Sequence, residues 1–436
     1  MAEEQTEFDR EMPGLGRACT VALIGGVLIG VIGAAFRAGL AYLGDRHLEF
    51  VTWAHAWPWI GWALPVLLGA VGVALARWMV RPQPLATGSG VQHVEAVMRG
   101  EAQAASIWVV PIKFVGGLLA IGSGLALGRE GPTIQMGATI GSFLAQRLRC
   151  AQEVLRDLQA ALGGAGLAVA FNAPIGGAMF VFEEVAHSFR LRLTMVTLIG
   201  SGTAIAVARA ILGSAPDFLV PSLVAGDTWT LSLFFIFGAL LGLLGVLYNK
   251  CTIFGLDTFA RFSKIPIELR AGIVGAIVGL VSWFFPTLVG GGDPTAQAIL
   301  NGGMALAPLL LILVIRWFIG PLSYSAGTPG GLFSPLLLVG ACLGAIFAGA
   351  LNTVLPEPHA LSAIAFAVVG MTAFFTGVVR APVTGIVLIA EMTATTTLLV
   401  PMLIATFGAM VSSSLIRGEP IYDTLRLRML AGMGRK

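Results

Sequence analysis

Glu130 lies in Gly128-Arg129-Glu130-Gly131-Pro132, a charged turn inside an otherwise apolar stretch. A carboxylate at such a place can fill an anion position or vacate it. Pro132 suits the first turn of a helix, and Gly131 lets a ligand come close to the backbone. A helix N-terminus carries unpaired N–H groups and about half a positive charge, so it attracts anions. The plain structural role of Glu130 is to stabilise its own helix dipole or to pair with Arg129. Within a membrane segment, however, an ionisable residue marks function by default.

The turn has a counterpart 203 residues on. Gly137 and Gly141 follow Pro132 at the spacing at which Gly340 and Gly344 follow Pro335. A second matched block follows each copy: Ala173-Pro174 running to Glu183, and Ala381-Pro382 running to Glu391, with nine residues from proline to glutamate in both. The second copy, Gly327-Thr328-Pro329-Gly330-Gly331-Leu332-Phe333-Ser334-Pro335, holds no side chain suited to a cation. It offers the N–H groups of Leu332 and Phe333, although both side chains also suit a core. Two further elements can serve an anion. Ser89, between Gly88 and Gly90, either caps a short helix containing Glu95 or points its hydroxyl at a ligand. Tyr422, after the last apolar segment, is an interfacial anchor or a hydroxyl donor.

The elements that must hold these turns are membrane helices. The 436 residues are 56% hydrophobic and 11% charged, with a mean hydropathy of +0.88, against about 25% charged in soluble domains. Apolar stretches run at about 18–43, 52–79, 106–127, 131–146, 158–182, 193–213, 228–248, 271–291, 304–324, 330–354, 360–379 and 381–416. Several fall short of the ~20 residues of a full span. Paired halves with Gly/Pro-broken segments are the mark of a repeat-built transporter whose site lies between the halves. The expected organisation is a polar segment at 1–17 and one transmembrane domain at 18–430, with repeats at about 18–214 and 229–420. No soluble domain is expected after Tyr422, and no secretory leader before the first apolar stretch. Basic residues near both ends favour cytoplasmic termini and an even number of crossings. A net charge of +3 with scattered Lys and Arg argues against nucleic acid. Cys19, Cys150, Cys251 and Cys342 stand singly, so neither a disulfide framework nor a metal site is expected. The five histidines lie mainly in polar turns or at segment edges, which argues against a Ser–His hydrolase and for a non-enzyme.

Taken in order, the Gly-Ser-Gly turn, Gly-Arg-Glu-Gly-Pro, Gly-Gly-Leu-Phe-Ser-Pro, Phe171-Asn172-Ala173-Pro174 with Glu183-Glu184, and the late Tyr422 resemble the chloride channel/transporter (CLC) family over residues 20–430. The resemblance implies an all-α polytopic membrane protein of two inverted-topology repeats with tilted and partial helices. It implies a homodimer with one pathway per subunit in the lipid bilayer of the inner (plasma) membrane. Residue by residue, Ser89 and Tyr422 look like the side-chain ligands of a central chloride, with the Leu332 and Phe333 N–H groups completing it. Glu130 looks like the gating glutamate, and Glu184 like the carboxylate that passes protons in exchangers and is typically apolar in channels. The implied function is a chloride/proton antiporter of the prokaryotic type, needing no cofactor, with chloride and protons as its cargo. A passive voltage- or pH-gated chloride channel is the alternative. Gln92 departs from the family, which usually has Pro there.

Arg129, Gly131 and Glu183 are expected to support these groups. Glu95, Lys113, Arg316 and Glu391 also lie in or beside apolar segments, where an unpaired charge is costly. A Glu95–Lys113 contact is therefore expected, with a supporting role for Arg316.

Overall fold

A computed structural model describes residues 14–57, 59–221, 228–355 and 360–433; most of the expected polar segment at 1–17 lies outside it. Seventeen α-helices carry the described chain. The first eight are α1 (Leu15–Ala54), α2 (Ala63–Met79), α3 (Val91–Met98), α4 (Val109–Gly122), α5 (Glu130–Arg147), α6 (Gln152–Phe171), α7 (Pro174–Phe180) and α8 (Leu191–Leu212). The next eight are α9 (Thr230–Arg261), α10 (Ile267–Phe284), α11 (Asp293–Leu300), α12 (Leu306–Ser325), α13 (Phe333–Asn352), α14 (Ala363–Val379), α15 (Pro382–Thr393) and α16 (Leu399–Leu415). The last is α17 (Ile421–Met433). Seven of them are long and apolar enough to cross a membrane, and five more are apolar but shorter.

The first eight helices recur as the next eight in order and in pairing. α5 packs on α6 as α13 packs on α14, and α1 packs on α8 as α9 packs on α16. The matched glycines explain the first of these contacts. A side chain at Gly137 would run into the Leu162 backbone on α6, and one at Gly340 into the Gly370 backbone on α14. Helices meeting this closely gain dispersion contacts that lipid does not supply.

The breaks between helices are also duplicated. α6 ends at Asn172 with φ 51° and α14 at Arg380 with φ 75°, both left-handed. Each is followed by an alanine before proline, extended away from helix at φ −125° and −113°, as the proline ring requires. The apolar stretch at 158–182 is thus two helices. The stretch at 381–416 breaks likewise at Ala394, φ 49°. The first helix runs opposite to expectation: α1 is continuous for 40 residues. At 1.5 Å per residue that is ~60 Å, about twice the hydrocarbon thickness, so it tilts or projects. The N-terminal end of α1 packs with Val154 and Leu155. From there Asp157 pairs with Arg190 and Arg192, and Arg99 reaches both His187 and Asp423 of α17. Both ends of the described chain therefore lie on one side of the molecule.

Candidate functional site

Three turns meet at the centre because the backbones of the two halves pair there. Gly128 donates to the Gly331 carbonyl at 2.9 Å and Gly331 returns the bond at 2.8 Å. These are motif equivalents, so the local two-fold relation passes between them. Gly88 adds a similar link, donating to Thr328 O at 3.1 Å and accepting from Gly330 at 3.2 Å. Between these pairings α5 and α13 begin, their N-termini converging.

Glu130, in the first turn of α5, reaches across to α13. Its Oε1 accepts the Phe333 N–H at 2.7 Å and its Oε2 accepts the Ser334 hydroxyl at 3.3 Å. The carboxylate is buried and occupies the anion position at the start of the opposite half's helix. Its side-chain hydrogen bonds go to α13, and Arg129 acts on it through charge alone. The approach requires glycine on both sides: a Cβ at Gly128 or Gly331 would have the Glu130 carboxylate as its nearest neighbour. Gly131 is equally constrained, since a Cβ there would enter the Ser89 turn.

That turn is shaped by three groups. Lys113, wholly buried on α4, donates to the carbonyls of Gly88 and Ser89. Tyr324 takes the Ser89 N–H at 3.4 Å. Gln92 accepts the Gly90 N–H at 3.1 Å, so a side-chain amide holds the turn where the family usually has a proline ring. The hydroxyls of Ser89 and Tyr422 are both buried and lie close to each other, and neither makes a hydrogen bond of good geometry. A buried hydroxyl left unpaired costs ~1–3 kcal/mol, a cost that a bound anion removes. Phe333 is fixed by its ring, which packs with Phe375 at 4.8 Å, Phe180 and Tyr422 at 5.8 Å, and Phe171 at 6.3 Å between centroids. Leu332 is buried as the N-cap of α13.

The second glutamate lies elsewhere. α7 runs into a π-helical turn, Val181–Val185, a rare geometry that is frequent at functional sites. It buries Glu184 while turning Glu183 the other way. The charged neighbours of Glu184 are Glu95, Asp423, Glu183 and Arg99, on the side where the described ends lie. Glu183 caps α15, accepting from Val383 N at 3.0 Å, Thr384 N at 2.6 Å and Thr384 Oγ1 at 2.7 Å. Glu391 returns the favour to α7, accepting from Ile175 N at 3.2 Å and Gly176 N at 2.8 Å. The paired prolines, second in each block, thus open two helices that the paired glutamates cap reciprocally.

The expected Glu95–Lys113 contact is not formed. Lys113 is consumed by the two turn carbonyls. Glu95 faces α17 instead, with Arg426 Nε at 4.0 Å and no hydrogen bond to either oxygen. Arg316, buried on α12, donates to the carbonyls of Leu288, Gly290 and Gly291 at 3.1, 2.8 and 2.9 Å. Sequence reasoning missed the partners of Arg129, which are Asp217 at 2.6 Å and Asp293 at 2.8 Å. The four cysteines are free, and no cluster of metal-ligating side chains occurs among the described residues.

Comparison with known proteins agrees with this geometry. Residues 72–414 match the voltage gated chloride channel family. The H(+)/Cl(-) exchange transporter ClcA of Vibrio cholerae is 36% identical, over 94% of this chain and 89% of that protein. ClcA of Salmonella typhimurium is 34% identical, over 94% and 88%. The crystal structure of a slow cyanobacterial Cl-/H+ antiporter superposes with a TM-score of 0.89 at 31% identity, covering 95% of this chain and 98% of that one. With two halves whose helix N-termini converge on a glutamate, and with this likeness over nearly all its length, the chain is a multi-pass membrane protein of the voltage-gated chloride channel (CLC) family.

Proposed function

We propose that the protein exchanges chloride for protons, with Glu130 as gate and Glu184 as the proton-transfer group on the side of the chain ends. The observation that carries this reading is the Glu130 carboxylate seated on the Phe333 N–H. Ionised, it fills the position that an anion would otherwise take at the start of α13. Protonated, it loses its attraction to the helix N-terminus, and chloride takes the Phe333 N–H in its place. Below that position, the free hydroxyls of Ser89 and Tyr422 hold a second chloride, with the Leu332 N–H at the cap. The same carboxylate therefore cannot be ionised and bound while chloride occupies its position, which couples its protonation to the movement of anion. Glu184, buried within the π turn and ringed by charged residues near the surface, supplies and removes the proton from its side. The likeness to two H(+)/Cl(-) exchange transporters and to a cyanobacterial Cl-/H+ antiporter supports exchange over passive conduction.

The same reading places the protein in the lipid bilayer of the inner (plasma) membrane with both termini cytoplasmic, and makes it a homodimer. Support for the dimer comes from the chain's family membership. No cofactor enters the mechanism. Purified protein in liposomes tests the assignment of roles. Glu184→Val is expected to keep chloride flux and lose proton movement, and Glu130→Ala to do the same with faster chloride flux. Intact proton coupling in either variant would remove that residue from its role.

A further inference from the structure

A cavity of about 340 Å³ lies on the side opposite the chain ends, its wall including Asp45, His47, Arg129, Gly290, Asp293 and Ser334. Asp45 is 30 residues along α1 from Leu15, ~45 Å at helical rise, which places the cavity across the membrane from the Glu184 side. Ser334 joins the cavity to the gate, because its hydroxyl donates to Glu130. The floor of the cavity thus lies one hydrogen bond from the gate.

Behind that wall runs a chain of ion pairs whose charges cancel, to which Asp45 adds a negative charge at the surface of the cavity. Arg129 donates through Nε to the Ala170 carbonyl at 2.7 Å and is shared between Asp217 and Asp293. Asp217 also takes Arg37 at 2.6 Å. The result is a chain of two arginines and two aspartates with no net charge, where Arg129 alone would attract an anion strongly. The four are not equivalent. The Asp217 side chain is 4% exposed and serves as the internal clamp of both arginines, whereas Asp293 is 33% exposed. Asp293 is also held in place from behind. It opens α11 after Gly292, which packs against the Arg316 guanidinium, and Arg316 ties down the carbonyls of the preceding loop. A fixed, solvated carboxylate on the guanidinium nearest the gate is a means of setting how much positive charge an arriving anion meets.

We propose that Asp293 is a positioning residue that sets chloride access from this side, by holding part of the Arg129 charge away from the cavity. The inference rests on the exchange reading above and deepens it at the mouth. Removing one unit charge at roughly 7 Å, with an effective dielectric of about 40 to 80, changes local anion occupancy by about three- to eightfold.

The test is the chloride dependence of current in planar bilayers containing the purified protein, with chloride varied on one face at a time. Asp293→Asn is expected to lower half-saturating chloride about three- to eightfold on the cavity face only, with maximal turnover kept. Asp293→Ser, which keeps an oxygen at the helix start, is expected to do the same, and Asp293→Glu to restore the parent value. Asp45→Asn, on the same wall but exposed and outside the Arg129 ion pairs, is expected to shift half-saturation less. An unchanged half-saturation in both neutral variants, an equal change on both faces, or an equal shift in Asp45→Asn would overturn the proposal. A parent protein that moves no chloride would overturn the exchange reading, and this inference with it.

Discussion

Glu130→Ala offers a thermodynamic test that does not depend on measuring transport. In the parent, the carboxylate satisfies the buried Phe333 N–H at 2.7 Å and the Ser334 hydroxyl at 3.3 Å. Truncation leaves that N–H unpaired inside the protein, at a cost of ~1–3 kcal/mol. Chloride can refill the position without displacing a tethered competitor. In the parent it must first move the carboxylate, so its gain there comes mainly from the Ser89 and Tyr422 hydroxyls. A ligand that binds only the folded state stabilises it by about 2.7 kcal/mol at a hundred times its dissociation constant. The variant is therefore expected to be less stable than the parent in gluconate by ~1–3 kcal/mol, and to recover most of that difference in chloride at equal ionic strength. Thermal unfolding of the detergent-solubilised protein, followed by intrinsic fluorescence across a chloride titration, measures both quantities. Equal chloride stabilisation in parent and variant would refute the idea that Glu130 occupies an anion position.

Other substitutions probe the parts around it. Gly128→Ala adds a Cβ whose nearest neighbours are all in the Glu130 carboxylate; it is expected to unseat the gate and leak chloride without protons while the fold is kept, and tight coupling in liposomes would contradict this. Lys113→Met leaves the Gly88 and Ser89 carbonyls without their charged donor; at ~1.5–3 kcal/mol per bond to a charged group, it is expected to destabilise the protein by about 3 kcal/mol or more and to weaken chloride binding in calorimetry. Glu183→Gln and Glu391→Gln each weaken a cap between the halves, at ~1 kcal/mol; because Glu183 accepts three bonds and Glu391 two, the former is expected to cost more in thermal unfolding, and the reverse order would count against the capping geometry.

Much of the site was legible because it is local and duplicated. The 203-residue offset between the two turns is the sequence separation of Glu130 and Phe333, the pair that meets in space. A proline fixes its own φ and restricts the residue before it, which explains why α7 and α15 start at Ala-Pro, although the apolar stretch at 158–182 runs straight through the first of these breaks. Helix ends were less legible. Asn172 and Ala394 break apolar runs in the left-handed conformation without a glycine to announce it. Long-range ion pairs left no trace at all. Asp217 fell in a stretch read only as the boundary between the halves, and nothing in its neighbours signals that it joins Arg37 to Arg129. The misassigned Lys113 has the same origin. Charge balance suggested an acidic partner, whereas two backbone carbonyls freed by the Gly-Ser-Gly turn met the ammonium first. The role of Gln92 likewise became visible only with the Gly90 N–H placed beside it.

Exchange itself is tested by proton flux in liposomes containing the purified protein, with a chloride gradient as the sole driving force and the proton gradient set against it. Protons moving uphill as chloride runs down, and ceasing to do so in Glu130→Ala and Glu184→Val while chloride still flows, is the predicted result. Chloride flux with no uphill proton movement in the parent would contradict it, making the protein a passive pathway and Glu184 a structural carboxylate.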